Sequence, residues 1–315
     1  MRFDTLLGND RLKQNLAESL AKHHISHFYL ISGPKGSGKK TLANLMAQAI
    51  LCRGNRKPCG VCEPCRKLLS RNHPDFITVE DPEHKNVSVK IVRAFRDDVF
   101  IRPNESDYKI YLFPQDLGVE GQNALLKILE EPPAYGIFLL LTDNPGKILP
   151  TVRSRCTELK LQALPRELLL HTLQTRFPDR TFQELDAAAN RSGGFLGQAL
   201  ELLESGTGAS PQTEALVNAL CSRNPLLLTE TLVPMEKWKR DALAEILSQW
   251  LELAGEALAE RSGIPAVSPL AQMLSRSRTP AELHEIHCHL KKAVDYTMSN
   301  VSPAAVCGWL VWVLR

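Results

Sequence analysis

Two short segments of the chain carry residue types whose spacing could support chemistry, and the first is rich in glycine. The run Gly33-Pro-Lys-Gly-Ser-Gly-Lys-Lys-Thr41 contains the G-x-x-x-x-G-K pattern of a phosphate loop. The glycines of this pattern are Gly33, Gly36 and Gly38. They would let backbone N–H groups point at phosphate oxygens, and Lys39 would reach the outer phosphates. The pattern therefore predicts a phosphate-binding turn, with a plain strand-to-helix turn as the alternative.

The residues that would hold a magnesium ion at this loop depart from the pattern. Lys40 takes the place of the Ser or Thr that binds Mg²⁺, and Thr41 comes one residue late, a rotation of about 100° on a helix. The acidic pair expected after a later strand is replaced by Pro114-Gln115, and Asp116 follows. These departures predict that the chain does not hydrolyse ATP, whereas weak binding of ATP or ADP stays open.

The second segment is a cluster of four of the eight cysteines, namely Cys52, Cys59, Cys62 and Cys65. Four thiols at such short spacing can surround one Zn²⁺ tetrahedrally. Because no ligand position is left for water, the cluster predicts a structural zinc ion rather than a catalytic one. An iron–sulfur cluster and four free thiols are the alternatives. The basic residues around the cluster are interpreted mainly as a solvated face.

The elements that must position these segments alternate along the first half of the chain. Short apolar runs rich in branched and aromatic residues predict strands at 27–32, 75–79, 109–113, 136–142 and 157–161. Helical periodicity predicts helices between them, including Thr41–Leu51 and Gln122–Glu131. This alternation predicts an α/β fold in which helices cover a parallel sheet.

Beyond Leu161 the strand pattern gives way to helical patterns. Helices are predicted at 165–177, 181–192 and 194–205, followed by a linker at 205–211 and a further helical region at 212–315. The 315 residues include 43% hydrophobic and 23% charged residues, with a net charge of +3. These values indicate a globular chain of two or three domains and do not imply a nucleic-acid partner. No apolar run is long enough to span a membrane, so a cytoplasmic location is expected.

Three further runs resemble a known family. They are Asn123-Ala-Leu-Leu-Lys-Ile-Leu-Glu-Glu-Pro-Pro133, Phe138-Leu-Leu-Leu-Thr142 and Leu149-Pro-Thr-Val-Arg-Ser-Arg-Cys156. Together with Leu7-Gly8-Asn9 and His27–Pro34, they resemble the AAA+ subunits of the bacterial DNA polymerase III clamp loader. The resemblance is dense over residues 1–210 and weak beyond them.

That family contains an ATPase motor, the gamma/tau subunit, and a delta-prime subunit with degenerate ATP motifs and no ATPase activity of its own. The chain resembles the delta-prime type because Lys40 replaces the magnesium ligand and Pro114-Gln115 replaces the acidic pair. Motor subunits also have a nucleotide-sensing arginine in the lid domain, where this chain has Gly197. The resemblance implies a subunit of a DNA-directed DNA polymerase holoenzyme that has no enzymatic activity of its own.

The resemblance also implies domains and residue roles. The expected domains are an AAA+ (RecA-like) domain at 1–162 with an inserted zinc module at 52–65, a helical lid domain at 163–208 and an all-α collar domain at 209–315. Arg155 would be an arginine finger that acts on ATP bound by a neighbouring subunit, with a structural salt bridge as the alternative. Thr142 matches a nucleotide-sensing position, although a satisfied hydroxyl at a strand end is equally expected.

The partners implied are the motor and delta subunits of a hetero-oligomeric ring that opens the sliding clamp and places it on primed DNA. Two other functions stay open. One is an active motor that uses Thr41 and Asp116 as displaced metal ligands. The other is a zinc-dependent DNA-binding module that uses the basic residues near Cys59.

Overall fold

The computed structural model describes residues 5–22, 24–84, 86–205, 210–264, 266, 268–299 and 301–315. Contacts divide the chain into two compact units, one formed by residues 1–172 and 192–199 and the other by residues 173–191 and 200–315. Positions 206–209 of the predicted linker lie outside the described residues. The boundaries proposed for the three domains remain predictions. Among the described helices, none combines the length and the apolar character needed to cross a lipid bilayer.

The first unit contains one parallel sheet. Its strands are β1 Phe28–Ser32, β2 Phe76–Thr78, β3 Lys109–Phe113, β4 Gly136–Thr142 and β5 Thr157–Lys160. They are arranged in the order β2-β3-β4-β1-β5, and every neighbouring pair is parallel. Each strand begins and ends within one residue of its predicted bounds, so the predicted parallel sheet is confirmed. Both edge strands, β2 and β5, are short, and β5 is largely exposed.

Helices connect these strands. They are α1 Asp10–Ala21, α2 Lys39–Leu51, α3 Glu63–Leu69, α4 Val89–Asp98, α5 Val119–Glu130 and α6 Pro150–Arg153, with a 3₁₀ turn at Pro145–Lys147. The α2 and α5 helices begin two and three residues before their predicted starts, directly after Gly38 and Gly118. Both glycines provide the non-helical residue that precedes a helix.

Side chains along the strands alternate between two cores, one on each face of the sheet. Tyr29 and Ile31 of β1 belong to the core formed with α1 and α2. Phe28 and Phe138 face the other core, where their rings stack at 4.2 Å and Phe95 of α4 approaches Phe138 edge-on. Burial on both faces explains the continuous apolar runs.

Because the strands are parallel, the carboxyl ends of β3, β4 and β1 lie side by side at one edge, where the phosphate loop begins.

The second unit is helical, as predicted. It contains α8 Phe182–Arg191, α10 Pro211–Ser222, α11 Pro225–Leu232, α12 Arg240–Arg261, α13 Pro269–Ser277, α14 Pro280–Met298 and α15 Pro303–Val313, with a 3₁₀ turn at Val233–Lys237. The helices α7 Arg166–Arg176 and α9 Leu196–Ser205 each contribute residues to both units. Pro225, Pro269 and Pro303 are the first residues of helices, the position at which proline is best tolerated. The fully buried Trp250 of α12 lies in the core and donates from Nε1 to Thr213 Oγ1 at 3.0 Å.

Candidate phosphate loop and metal site

The phosphate loop connects the carboxyl end of β1 to the first turn of α2. Gly36 and Gly38 have φ angles of 77° and 93°, in the left-handed region that other residues enter only with strain. The N–H of Gly33 donates to the Thr142 carbonyl oxygen at the end of β4, at 3.2 Å. The structure therefore brings the three predicted glycines and Lys39 together in one turn beside β4.

Lys39 binds atoms of its own chain. Its Nζ donates to the carbonyl oxygens of Gly33 and Pro34 at 2.6 and 2.8 Å, and it forms an ion pair with Asp143 Oδ1 at 2.6 Å. The Lys39 side chain is only 12% exposed. The ammonium group predicted to reach outer phosphates is thus neutralised by a carboxylate within the chain. Asp143 is absent from the predicted site residues, although an acidic residue directly after an apolar strand is a detectable signal.

The positions predicted for magnesium ligands have other surroundings in the structure. Lys40 and Thr41 are both exposed on the first turn of α2. Gln115, at the predicted acidic position, accepts from the Asp81 N–H at 2.7 Å and donates to the carbonyl oxygens of Asp81 and His84 at 2.9 and 3.1 Å. The Gln115 amide therefore fixes the backbone of residues 81–84.

Thr142, at the predicted nucleotide-sensing position, is buried at the end of β4. Its Oγ1 donates to Asp116 Oδ1 at 2.9 Å and accepts from the Asn144 N–H at 3.2 Å. The other carboxylate oxygen of Asp116 lies 3.6 Å from Lys147 Nζ. Thr142 and Asp116, the carboxylate closest in sequence to the missing acidic pair, therefore both have partners within the chain.

Arg155, the predicted arginine finger, follows α6 and is 40% exposed. Its guanidinium donates to the Thr151 carbonyl oxygen at 3.0 Å and lies 3.4 Å from Glu130 Oε1. Glu130 is itself 57% exposed, and exposed ion pairs of this kind contribute about 0–1 kcal/mol. Arg153 differs, because both its Nε and its Nη2 donate to Glu158, at 3.2 and 2.8 Å. The contacts that Arg155 makes with Thr151 and Glu130 are therefore weak, and little free energy is needed to break them.

The four predicted metal ligands, Cys52, Cys59, Cys62 and Cys65, converge in space. Their sulfur atoms all lie within 4.8 Å of one another, and the Cys52 and Cys62 sulfurs are 3.9 Å apart. Tetrahedral zinc with bonds of about 2.3 Å requires sulfur–sulfur distances of about 3.8 Å. The donor set therefore fits a four-sulfur zinc site with little rearrangement.

Backbone groups around the cluster favour thiolates at some positions. The N–H groups of Gly54 and Cys59 donate to the Cys52 sulfur at 3.3 and 3.4 Å, although burial outweighs them and raises the pKa of Cys52. Hydrogen bonds from Val61 and Cys62 lower the pKa of Cys59 to about 6. Burial instead raises the pKa of Cys65 to about 12. A bound cation would oppose the effect of burial, because it stabilises the thiolate form.

These geometric results stand beside a match to a known family. The family model described as DNA polymerase III, delta subunit, matches residues 8–165 of the chain. The chain belongs to this family. The match includes the phosphate loop, the four cysteines and Arg155, so every predicted site of the chain lies within the matched region. The predicted relationship to the clamp-loader subunits of DNA polymerase III is confirmed at the family level.

Curated relatives of the chain are DNA polymerase III subunits named tau, gamma/tau or gamma. The DNA polymerase III tau subunit of Salmonella typhimurium is 33% identical over 321 residues, covering 96% of this chain and 45% of the relative. The tau subunit of Bacillus subtilis is 27% identical over 292 residues, covering 90% of this chain and 48% of the relative. The chain thus spans less than half the length of both relatives. A solved gamma subunit-related protein of Thermotoga maritima is 18% identical, with a TM-score of 0.47, and the alignment covers 95% of this chain and 98% of that one.

A buried aspartate links the cysteine cluster to the sheet. Asp75 accepts from the N–H groups of Asn104, Glu105 and Ser106 at 2.6, 2.9 and 2.9 Å. The Glu105 carboxylate in turn accepts from Lys67 Nζ of α3 at 2.6 and 2.7 Å. Asp75 therefore holds the segment that binds the helix carrying the last cysteine ligand. Asp75 is absent from the predicted site residues, because a lone aspartate at the start of a predicted strand carries no distinctive pattern.

The Asp75→Asn substitution is expected to lower the free energy of unfolding by about 1–3 kcal/mol at neutral pH, because an amide leaves some of the three donors poorly paired. Burial raises the pKa of Asp75, but the three N–H donors outweigh it and lower the pKa below 3.8. A lowered pKa means that the ionised form stabilises the fold above the unfolded value, and that this contribution disappears as the pH falls through the folded value. The loss of stability caused by Asp75→Asn, measured by urea unfolding, should therefore be smaller below pH 4 than at pH 7.

The matched control for this substitution is Asp97→Asn, which removes the same charge from an exposed position on α4. It should change stability by no more than about 0.5 kcal/mol at either pH. An Asp75→Asn variant as stable as this control would contradict the anchoring role.

Proposed function

We propose that the chain is a non-hydrolysing, delta-prime-type subunit of the clamp loader of the bacterial DNA polymerase III holoenzyme. The observation that carries this proposal is the state of the phosphate loop. Lys40 occupies the magnesium-ligand position, and Gln115 is engaged with residues 81–84. A magnesium ion neutralises charge on the transferring phosphoryl group, so a loop that lacks its ligands does not support hydrolysis.

The proposed assembly is a hetero-oligomeric ring with the motor (gamma/tau) and delta subunits. In this ring the chain helps to open the sliding clamp and to place it on primer-template DNA, in the cytoplasm at the nucleoid-associated replisome. Residues 209–315 act as the collar domain that joins the subunits. Membership of the delta subunit family and the similarity to tau subunits support this assignment.

Within the ring, Arg155 donates its guanidinium to ATP bound by a neighbouring motor subunit. Its exposure and its weak contacts with Thr151 and Glu130 support this role, because the side chain can turn outward at little cost. Charge that builds on the γ-phosphate in the transition state would then meet a positive group supplied by this chain. Zinc held by the four cysteines has a structural role.

A second candidate is an active motor, which is favoured by the name tau of the Salmonella typhimurium and Bacillus subtilis relatives. That function requires Thr41 and Asp116 to bind magnesium. Asp116 is engaged with Thr142 and Lys147, so the structure gives this candidate less support. A DNA-binding module around the cysteines has less support again, because Lys67 is paired with Glu63 and Glu105.

The proposal predicts that the purified chain hydrolyses ATP no faster than buffer, and that it co-purifies with the motor and delta subunits. ATP turnover would be measured for the chain alone, for its Lys39→Ala variant and for the assembled complex. The two isolated proteins should be equally inactive. Turnover by the isolated chain that Lys39→Ala abolishes would instead establish the motor, and failure to enter the complex would contradict the clamp-loader role.

A further inference from the structure

The phosphate loop makes a close backbone contact with the first turn of α9. The N–H of Gly197 donates to the carbonyl oxygen of Gly36 at 2.9 Å. A Cβ atom built on Gly36 would lie 2.5 Å from the Gln198 nitrogen, and one built on Gly197 would lie 2.6 Å from the Gly36 Cα. Cβ atoms essentially never approach other atoms this closely, so the contact requires glycine on both sides.

The two glycines are needed for different reasons. Gly36 has a positive φ of 77°, which alone favours glycine. Gly197 lies in a helix without a positive φ, so its backbone conformation would accept any residue. Glycine also lowers helix stability by about 1 kcal/mol relative to alanine. The absence of a side chain at Gly197 is therefore explained by the approach of Gly36.

A second internal contact closes the same loop. The Lys39–Asp143 ion pair at 2.6 Å joins the loop to the residue that follows β4, and Lys39 also binds the loop carbonyl oxygens. The carboxylate of Asp143 provides the negative charge that a phosphate group would provide in a loaded loop. The loop is consequently held on one side by a charge contact and on another by a backbone contact.

We propose that these two contacts keep the loop closed to polyphosphates, with Asp143 in the role of an internal anion and Gly197 covering Gly36. The loop then works as a connection between the end of β4 and the start of α9. Binding of pyrophosphate or a nucleoside polyphosphate has to break both contacts, so the removal of either one should tighten binding. This closure is a property of the isolated chain and does not depend on the proposed role in a clamp loader.

Isothermal titration of the full chain with pyrophosphate, with and without Mg²⁺, tests the charge contact. Asp143→Asn is expected to tighten pyrophosphate binding by about 2- to 5-fold, which corresponds to the loss of an ion pair worth up to about 1 kcal/mol. Asp97→Asn, which removes the same charge from an exposed site on α4, controls for the change in net charge. Equal affinities for the two variants, or tight binding by the unsubstituted chain, would overturn the proposal.

The backbone contact is tested by comparing Gly197→Ala with Gly308→Ala. Gly308 lies in α15, and a Cβ there would meet nothing within 4 Å, so this substitution should keep or raise Tm. Gly197→Ala must displace Gly36 and is expected to lower Tm by about 2–4 °C. Hydrogen exchange at the Gly36–Lys39 amides should also become faster. If Gly197→Ala matches Gly308→Ala in both measurements, the backbone contact does not hold the loop closed.

Discussion

Replacing Arg155 by alanine is expected to slow ATP hydrolysis at the neighbouring site of the assembled complex by about 10³-fold or more, the effect known for arginine fingers. The physical reason is that the guanidinium stabilises negative charge that develops on the γ-phosphate only in the transition state. ATP turnover of the complex would be measured together with its composition by size-exclusion chromatography. The complex should remain intact, because Arg155 contributes only weak contacts to its own fold.

Arg153→Ala is the matched control for this experiment. Arg153 lies two residues away and carries the same charge, but it is bound to Glu158 through two donor nitrogens. Its loss should leave turnover within a few-fold of the unsubstituted complex. Equal turnover in the Arg155→Ala complex and the unsubstituted complex would show that Arg155 makes only a structural salt bridge with Glu130.

Removal of the metal is expected to have the second large effect. A Cys65→Ser variant should not retain the zinc ion expected at the four cysteines, because a structural site gains its apparent binding energy of about 10–16 kcal/mol from a complete set of deprotonated ligands. Cys65 is buried, and its sulfur lies within 4.8 Å of the other three sulfur atoms. Without a metal to join these four side chains, residues 52–65 should become sensitive to protease. Zinc content would be measured by mass spectrometry and cleavage by limited proteolysis.

Cys288→Ser provides the control, since Cys288 lies on α14 with its sulfur 3.6 Å from His284 Nε2 and belongs to another part of the chain. It should retain one zinc per chain and the protease resistance of the unsubstituted protein. If the purified chain instead contained iron and absorbed visible light, the four cysteines would hold an iron–sulfur cluster and not zinc. Full zinc content in the Cys65→Ser variant would contradict a four-cysteine site.

The sheet and the two candidate sites could be predicted because their signals are local. Strands buried on both faces appear as short apolar runs, and β3 and β4 match their predicted bounds without error. The phosphate loop and the cysteine cluster each occupy a single short segment, so their spacing alone indicates the chemistry. The starts of α2 and α5 were less accurate, because a glycine cap gives little warning of where helical hydrogen bonding begins.

The contacts that decide the state of the site join residues far apart in the chain. Asp143 reaches Lys39 across 104 positions, and Gly197 contacts Gly36 from a helix that follows the last strand of the sheet. Asp75 likewise acquires its three donors from a segment about thirty residues later, a separation that follows from the pairing of β2 with β3. Asp143 and Gly197 can each be noticed in the sequence, but no local pattern reveals which distant residue they or Asp75 contact.

The short edge strands of the sheet have a consequence for how the chain meets other proteins. β2 has only three residues, and β5, with the sequence Thr-Glu-Leu-Lys, exposes charged side chains. Edges of this kind discourage the addition of a strand from another polypeptide, which protects against aggregation. Association with other chains should therefore proceed through side-chain surfaces of helices and loops, and mutations that lengthen or neutralise β5 should promote misassembly instead of strengthening the complex.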